Sequence, residues 1–544
     1  MNVRLAFTIF IAGFTALARA TPPATTQGVY TPPAENQTDQ SATTTAQGGT
    51  SASMYIQEYR VLGAHQLTGK QVEAAVYPYL GPARTPADVD QARAALEKAY
   101  QEAGYQTVSV EIPQQKVKHG IVVLQVVENK VGRLRVRGAR YFSPSQIKQQ
   151  LPSLAEGGVP NFNHVSQEIV ALNQLPDRQV TPTLKAGVEP GTVDVDINVK
   201  DTLPLHGSLE LNNRYSPNTT PLRVNGSVSY TNLWQLGHSI GFSFQIAPQR
   251  PSDAEVASAY YLARLPSLPW LSLLLQGTKQ NSNVSTLGGG NVVGNGEMAG
   301  ARLIVSLPPL KEFSHSVALE VDYKHFDQDL FVGGSLTGSP ITYYPVSLSY
   351  SAAWVTKYST TEFNGGVTFG LRGTSPSEAD FDNSRFDADS GFFYFRGKLD
   401  RTQELPLGFQ AYAEIQGQAA NEPLVASEQF SGGGLDTVRG YLESEVLGDN
   451  AIVSTFELRT PSLHGWGLDE MRLYVFSDAG VFTLNNPLPG QQSQFDLASV
   501  GVGGRIRTFS HLNGSLDAGV PLITQAPNTT AGSVLVTFRL WGNF

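Results

Sequence analysis

The stretch Ile240-Gly241-Phe242-Ser243-Phe244-Gln245-Ile246 alternates without a break between bulky apolar residues and small or polar ones. Successive side chains of an extended strand point to opposite faces, so one face of this segment is wholly apolar and the other wholly polar. Val317, Leu319, Val321 and Tyr323 repeat the pattern around Glu320, Asp322 and Lys324, and the alternation recurs, broken by turns and loops, from about Leu205 to Phe544. A soluble sandwich alternates as well, but its polar face is its solvent face and its strands rarely carry this aromatic load. A closed transmembrane barrel accounts for both features: each backbone group pairs with a neighbouring strand, no edge remains, and the outward face can be entirely apolar. Residues 202–544 are therefore expected to form a membrane all-β unit, an antiparallel transmembrane β-barrel of about 16 strands.

The connectors fit that reading. Tight turns are expected near Trp234-Gln235, Ser267-Leu268, Pro308-Pro309, Thr360-Thr361 and Thr402-Gln403. Longer connectors are expected around 281–295, 329–340, 373–389, 418–448 and 480–494. Short periplasmic turns and long external loops produce this asymmetry, and by strand count the 418–448 connector is the sixth external loop.

Composition narrows the class further. Hydrophobic residues make up 41% of the 544, too few for a helical membrane protein. The one uninterrupted apolar run, 5–17, follows Arg4 and precedes Ala18-Arg19-Ala20, which has the small-x-small form of a signal-peptidase site. Residues 1–20 are accordingly expected to be a signal peptide, the run being too short to span a bilayer as a helix. The chain has no cysteine, which excludes a disulfide scaffold, a thiol nucleophile and thiolate metal sites. A net charge of −9 argues against a nucleic-acid partner, which requires a basic footprint. The nine histidines show no ligand-like clustering, and His164, His206 and His238 stand apart, so neither a metal nor another cofactor is expected.

Residues 21–53 are rich in Thr, Pro and Gln with almost no apolar periodicity, the signature of a flexible leader. Two α/β units follow. In 54–129 a strand precedes two helices, the second capped by Thr85 with Pro86 at its first position, and Val89, Ala92, Leu96, Tyr100 and Ala103 fall at helical spacing before the stop at Gly104. Strands bearing Val108, Val110, Ile112 and Val122, Leu124, Val126 close the unit, in the order β-α-α-β-β. Residues 130–201 repeat that order, which points to duplication. Units of this order, with Tyr100-Gln-Glu-Ala-Gly104-Tyr105 and the run Val127-Glu128-Asn129-Lys130-Val131-Gly132-Arg133-Leu134, resemble POTRA domains.

The sixth loop contains Val438-Arg439-Gly440-Tyr441, and a later strand contains Phe476-Ser477-Asp478-Ala479-Gly480. Met471, Leu473 and Val475 form the lipid-side set of that strand, so Arg472, Tyr474, Phe476 and Asp478 face the lumen. A carboxylate inside a barrel is costly unless solvated or paired, and Arg439 is the expected lumenal partner of Asp478. These motifs, with Gly448-Asp449-Asn450 and Glu457-Leu458-Arg459, resemble the signature of the two-partner secretion transporters, also known as hemolysin secretion/activation proteins, over residues 54–544. The resemblance implies two periplasmic POTRA domains that capture an unfolded secreted partner, such as an adhesin, hemolysin or other toxin, which crosses the barrel without nucleotide hydrolysis. It also implies that the sixth loop folds into the lumen, with Arg439 on Asp478 and with Gly440 and Tyr441 shaping the tip. Family members often place an amphipathic plug helix before the first POTRA domain, and 21–53 shows no such stripe.

Other motifs carry less. Gly237-His238-Ser239-Ile240-Gly241 fits the serine-hydrolase form GxSxG, but that elbow needs a strand before and a helix after, and here a turn precedes and a strand follows. The glycine-rich 288–296 run lacks the lysine and helix start of a phosphate cradle and reads as an external loop. The last strand, with Phe538 and Leu540 alternating toward Phe544, resembles the signal by which the barrel assembly machinery recognises its clients. The expectation is thus a Gram-negative outer-membrane transporter embedded in lipid and not an enzyme. An assembly factor for other barrels is the alternative, although such proteins usually carry more POTRA domains. A passive porin would leave the POTRA units without a role.

Overall fold

A computed structural model describes residues 53–265, 267–282, 294–332, 335–373, 378–465 and 467–544. The expected signal peptide and leader, the centre of the 281–295 connector and part of the 373–389 connector lie outside the described residues. The chain divides into two compact units, 21–203 and 204–544, with the division beside Leu203 and Pro204.

The N-terminal unit holds two three-stranded sheets of identical topology. In the first, the strand Ile121–Glu128 lies between Glu58–Leu62, to which it is parallel, and Val108–Glu111, to which it is antiparallel. In the second, Thr192–Asp201 lies between Lys130–Arg137 and Arg178–Ala186 with the same polarities. The last strand of each unit is therefore central, and its first two strands are the edges. A small additional sheet pairs Met54–Ile56 with Gly81–Arg84 in the first unit. Helices Gly69–Val76 and Pro86–Glu102 cover the first sheet, and Pro144–Gln149 and Phe162–Leu172 belong to the second unit. The long helix starts in a capping box: Asp88 accepts the Thr85 backbone N–H at 2.7 Å, and the Thr85 side chain accepts the N3 backbone N–H.

The duplication reaches single side chains. Glu128, at the end of one central strand, accepts the backbone N–H groups of His65 and Gln66 at 2.7 and 2.9 Å. Asp201, at the end of the other, accepts those of Tyr141 and Phe142 at 2.7 and 3.0 Å. Each carboxylate thus satisfies donors in the bend between the first strand and first helix of its unit. Tyr100 donates its hydroxyl to Glu128, and Asn129 donates to the Thr107 carbonyl, which connects the two sequence runs that resemble POTRA domains.

Residues 205–543 form a closed antiparallel barrel. Among the described residues eighteen paired segments make sixteen staves: Ser335–Tyr343 runs on into Pro345–Val355, and both pair with Phe313–Val332, while Leu463–Gly465 continues Asn450–Arg459 along Leu468–Thr483. The first stave, Leu205–Asn212, closes on the last, Leu535–Asn543. Ile240, Phe242 and Phe244, and likewise Leu319 and Val321, are left exposed on the outer surface, as an apolar girdle facing lipid requires. No described helix is long and apolar enough to cross a membrane.

Three connector expectations are corrected. Thr360-Thr361 and Thr402-Gln403 lie within the strands Ser359–Gly370 and Phe393–Glu404, and the chain reverses instead at 356–358 and 405–409. Threonine is β-branched and favours pleated backbone, so a pair of polar residues there marks a strand end rather than a turn. The 329–340 connector is largely paired, the strands reaching Val332 and resuming at Ser335. The expected turn at Trp234-Gln235 is present, with both residues at positive φ, inside a four-residue connection between the paired Leu233 and His238.

Candidate functional site

The connector that follows strand Gln410–Ala420 turns into the barrel. Its base is a short hairpin, Phe430–Gly432 paired with Val446–Gly448, and its tip carries Val438, Arg439, Gly440 and Tyr441, all nine-tenths or more buried. An irregular loop survives at this depth because side chains of the wall and of the loop itself satisfy its polar groups. Gln416 donates to the Asp436 carbonyl at 2.7 Å, and the Thr437 hydroxyl donates to the Gly433 carbonyl at 2.9 Å.

Arg439 is the centre of the site. Its guanidinium forks onto Asp478 with Nε–Oδ2 2.8 Å and Nη2–Oδ1 2.7 Å, and its backbone N–H donates to the same carboxylate at 3.0 Å. Parity explains the placement of the aspartate: along Leu468–Thr483, Tyr474, Phe476, Asp478 and Gly480 are buried, whereas Leu473 and Val475 are exposed. The Phe476 ring lies under the guanidinium at 3.6 Å from its centroid, a cation–π contact in a desolvated position.

Two further carboxylates join, Glu457 from the Glu457-Leu458-Arg459 motif and Asp517, which no motif includes. Glu457 accepts from Arg439 Nη1 at 2.6 Å, and Asp517 approaches the same nitrogen at 3.7 Å. Glu457 is shared with Arg459 at 2.7 Å and Arg505 at 3.4 Å, and Asp517 accepts the Tyr474 hydroxyl at 2.6 Å. Every charge in the cluster has an opposite neighbour, the condition under which buried ions are tolerable. The alternation that gives the side of Asp478 would have given that of Glu457, which stands between outward Phe456 and Leu458.

Gly440 lies against the wall. Its φ is +87°, and a Cβ there would meet the Gly519 and Pro521 backbone at 3.1 to 3.3 Å, so both the conformation and the approach call for glycine. Tyr441 donates its hydroxyl to the Ile523 carbonyl at 2.7 Å and accepts the Ala498 N–H at 3.3 Å. Val438 and Tyr441 pack with Phe430, Val446 and Phe482 into an apolar cluster beneath the tip.

The base of the loop is held separately. Glu428 accepts from Lys324 at 2.5 Å, Tyr343 at 2.7 Å and Tyr394 at 2.8 Å, three groups on the wall. Asp449 accepts a fork from Arg385 at 2.9 and 2.7 Å, which fixes the loop to the connector carrying the helix Glu378–Ser384. Nothing in the sequence pattern announces these partners, because irregular connectors have no periodicity to read.

The remaining motifs fall elsewhere. Ser239 begins the strand His238–Ile246, with strand rather than helix after it, so it does not form a nucleophile elbow. The 288–296 run lies mostly outside the described residues. Phe538 and Leu540 are on the last stave, which pairs with both Leu512–Pro521 and Leu205–Asn212, and Phe544 exchanges backbone hydrogen bonds with Gly207 at 3.0 and 3.1 Å. Among the described residues no group of three or more metal-ligating side chains could hold an ion. What the site provides is a buried electrostatic seat for a loop.

Comparisons with known proteins bear on the family and the fold. A family model for the haemolysin secretion/activation protein ShlB/FhaC/HecB matches residues 191–506, and one for the ShlB-type POTRA domain matches residues 54–129. The outer membrane transporter CdiB of Escherichia coli O6:K15:H31 is 24% identical over 476 residues, covering 85% of this chain and 78% of that protein. The heme/hemopexin transporter protein HuxB of Haemophilus influenzae is 20% identical over 377 residues, covering 67% and 64%. The solved structure of CdiB from Escherichia coli superposes with a TM-score of 0.66 at 17% identity, over 92% of this chain and 93% of that one.

Proposed function

The chain belongs to the haemolysin secretion/activation protein family ShlB/FhaC/HecB, as an outer-membrane transporter with periplasmic POTRA domains, and from that premise we propose that it exports one unfolded protein partner by two-partner secretion. The observation that carries the proposal is the seating of the sixth loop: a lumen occupied by a loop held on ion pairs can be vacated without breaking the sheet ladder. The passenger would be recognised in extended form by an edge strand of a POTRA unit, where main-chain hydrogen bonds give affinity that tolerates sequence variation. The strand Arg178–Ala186 is the longer of the two edges of its sheet. Energy would come from folding of the passenger outside the cell.

The decisive measurement is the amount of the co-encoded exported protein in culture supernatant from cells that carry the chain, lack it, or carry Arg439→Ala. Export that depends on both the chain and Arg439, with other outer-membrane barrels at normal levels, supports a dedicated transporter. Unchanged export with depleted barrels would make the protein an assembly factor. For the recognition step, proline scanning of Arg178–Ala186, keeping variants with unchanged circular dichroism, should abolish passenger binding; retained binding across the scan would refute augmentation at that edge.

A further inference from the structure

We propose that Arg214, which belongs to neither motif, is a positioning residue that couples seating of the sixth loop to closure of the barrel seam; its consequence for secretion rests on the transporter reading. Arg214 follows the first stave, and period-two parity carries it to the same lumenal side as Glu210 and Asn212. It is 3% exposed. Its Nε donates to Glu443 Oε1 at 2.6 Å and its Nη2 to Asp436 Oδ2 at 2.8 Å. Those two carboxylates flank the Val438 to Tyr441 tip, and the Glu443 N–H also donates to the Tyr215 carbonyl at 3.0 Å. Where the loop's arginine reaches wall carboxylates on one side, a wall arginine reaches loop carboxylates on the other.

The same few residues hold the seam. Five positions pair between the first and last staves, against eight to eighteen between every other pair of neighbouring staves. Side chains supply what the short ladder lacks. Asn213 donates to the Val536 carbonyl at 2.8 Å and accepts the Phe538 N–H at 2.7 Å, and Arg539 forks onto Glu210 at 3.0 and 2.8 Å. Asn212 joins the two sets, donating to Glu210 at 2.7 Å and accepting the Arg214 N–H at 2.9 Å. A buried guanidinium cannot lose both acids, as it would if the loop tip left, without becoming an unpaired charge. Departure of the loop tip and displacement of residues 210–214 are therefore a single energetic event, which is coupling between the two places.

Hydrogen–deuterium exchange of the full chain in lipid nanodiscs reads both places together. Arg214→Ala, with the heat-modifiable barrel retained, should accelerate exchange about tenfold or more both in 433–443 and in the strands Leu205–Asn212 and Leu535–Asn543. Glu443→Gln should act in the same direction and add little in the double variant, and Arg214→Lys, a point charge in place of a fork, should fall between. Acceleration confined to the loop would make Arg214 an anchor without coupling and overturn the proposal, as would unchanged exchange in both segments. Should Arg214→Ala not assemble, Glu443→Gln alone carries the test. Secretion that depends on Arg439 alongside an unresponsive seam would leave the transporter reading standing and remove this one; a responsive seam without chain-dependent secretion would do the reverse.

Discussion

Arg439 faces Asp478, Glu457 and Asp517 together, so deleting the cation and deleting one anion are unequal changes. Arg439→Ala leaves three carboxylates converging on an empty position, whereas Asp478→Ala leaves the guanidinium its bond to Glu457. Breaking a buried pair from one side costs roughly 3–5 kcal/mol, here charged against loop seating and not against the ladder. Both variants are expected to insert as heat-modifiable barrels and to lower secretion, Arg439→Ala the more severely, with a non-additive double variant. Equal and additive losses would mean that the two residues act independently. Arg439→Lys should not restore transport, since an ammonium cannot fork onto Asp478 while reaching Glu457. Gly440→Ala should unseat the tip with every charge intact, because the added methyl meets main chain at Gly519 and Pro521; raised protease sensitivity within 433–443 is the readout.

Among the elements, the second α/β unit carries its own pH dependence. Asp196, on the central strand Thr192–Asp201, is bonded by Lys185 at 2.8 Å, with Arg135 at 3.0 Å and Arg137 at 3.3 Å. The Lys185 bond, with the two arginines, holds its carboxyl below the ordinary carboxylate range. A depressed folded value stabilises the unit above the unfolded value, near 3.9, and that contribution is lost as pH falls through the folded one. Pepsin cleavage within 130–201 should therefore rise as the pH drops below about 4, and Asp196→Asn should cleave more readily at the upper end with a weaker pH dependence. In the first unit Thr85→Ala removes one half of the capping box and should cost about 1 kcal/mol, read as a lower urea midpoint. The elements show where sequence reading stops. Helix periodicity and the Thr85-Pro86 start were legible because each leaves a local mark. Thr360-Thr361 reads as a turn because polar residues at a strand end next to a tight reversal look like one. The bonds of Arg385 and Arg214 left no trace, since their partners are distant in sequence and lie in connectors.

At the scale of the molecule, period-two alternation sufficed for the barrel because the two faces meet opposite solvents, and a one-residue slip would invert every strand. The number of staves was legible for the same reason, whereas the pairing of first with last follows from closure and from no local signal. That closure has a kinetic side. Every other neighbouring pair of staves is linked by a single connector and can zip as a hairpin soon after both strands exist. Glu210 and Arg539, which face each other across the seam, are 329 residues apart in sequence. Joining them is the longest-range step of folding, and such steps are slow because the loop entropy falls due before the contact repays it. Until that step the unfinished sheet has two bare edges, which lipid cannot satisfy. A chain interrupted before the last stave would therefore not settle as a smaller pore; it would remain an open ribbon, exposed to proteolysis and to pairing with any other unfinished sheet.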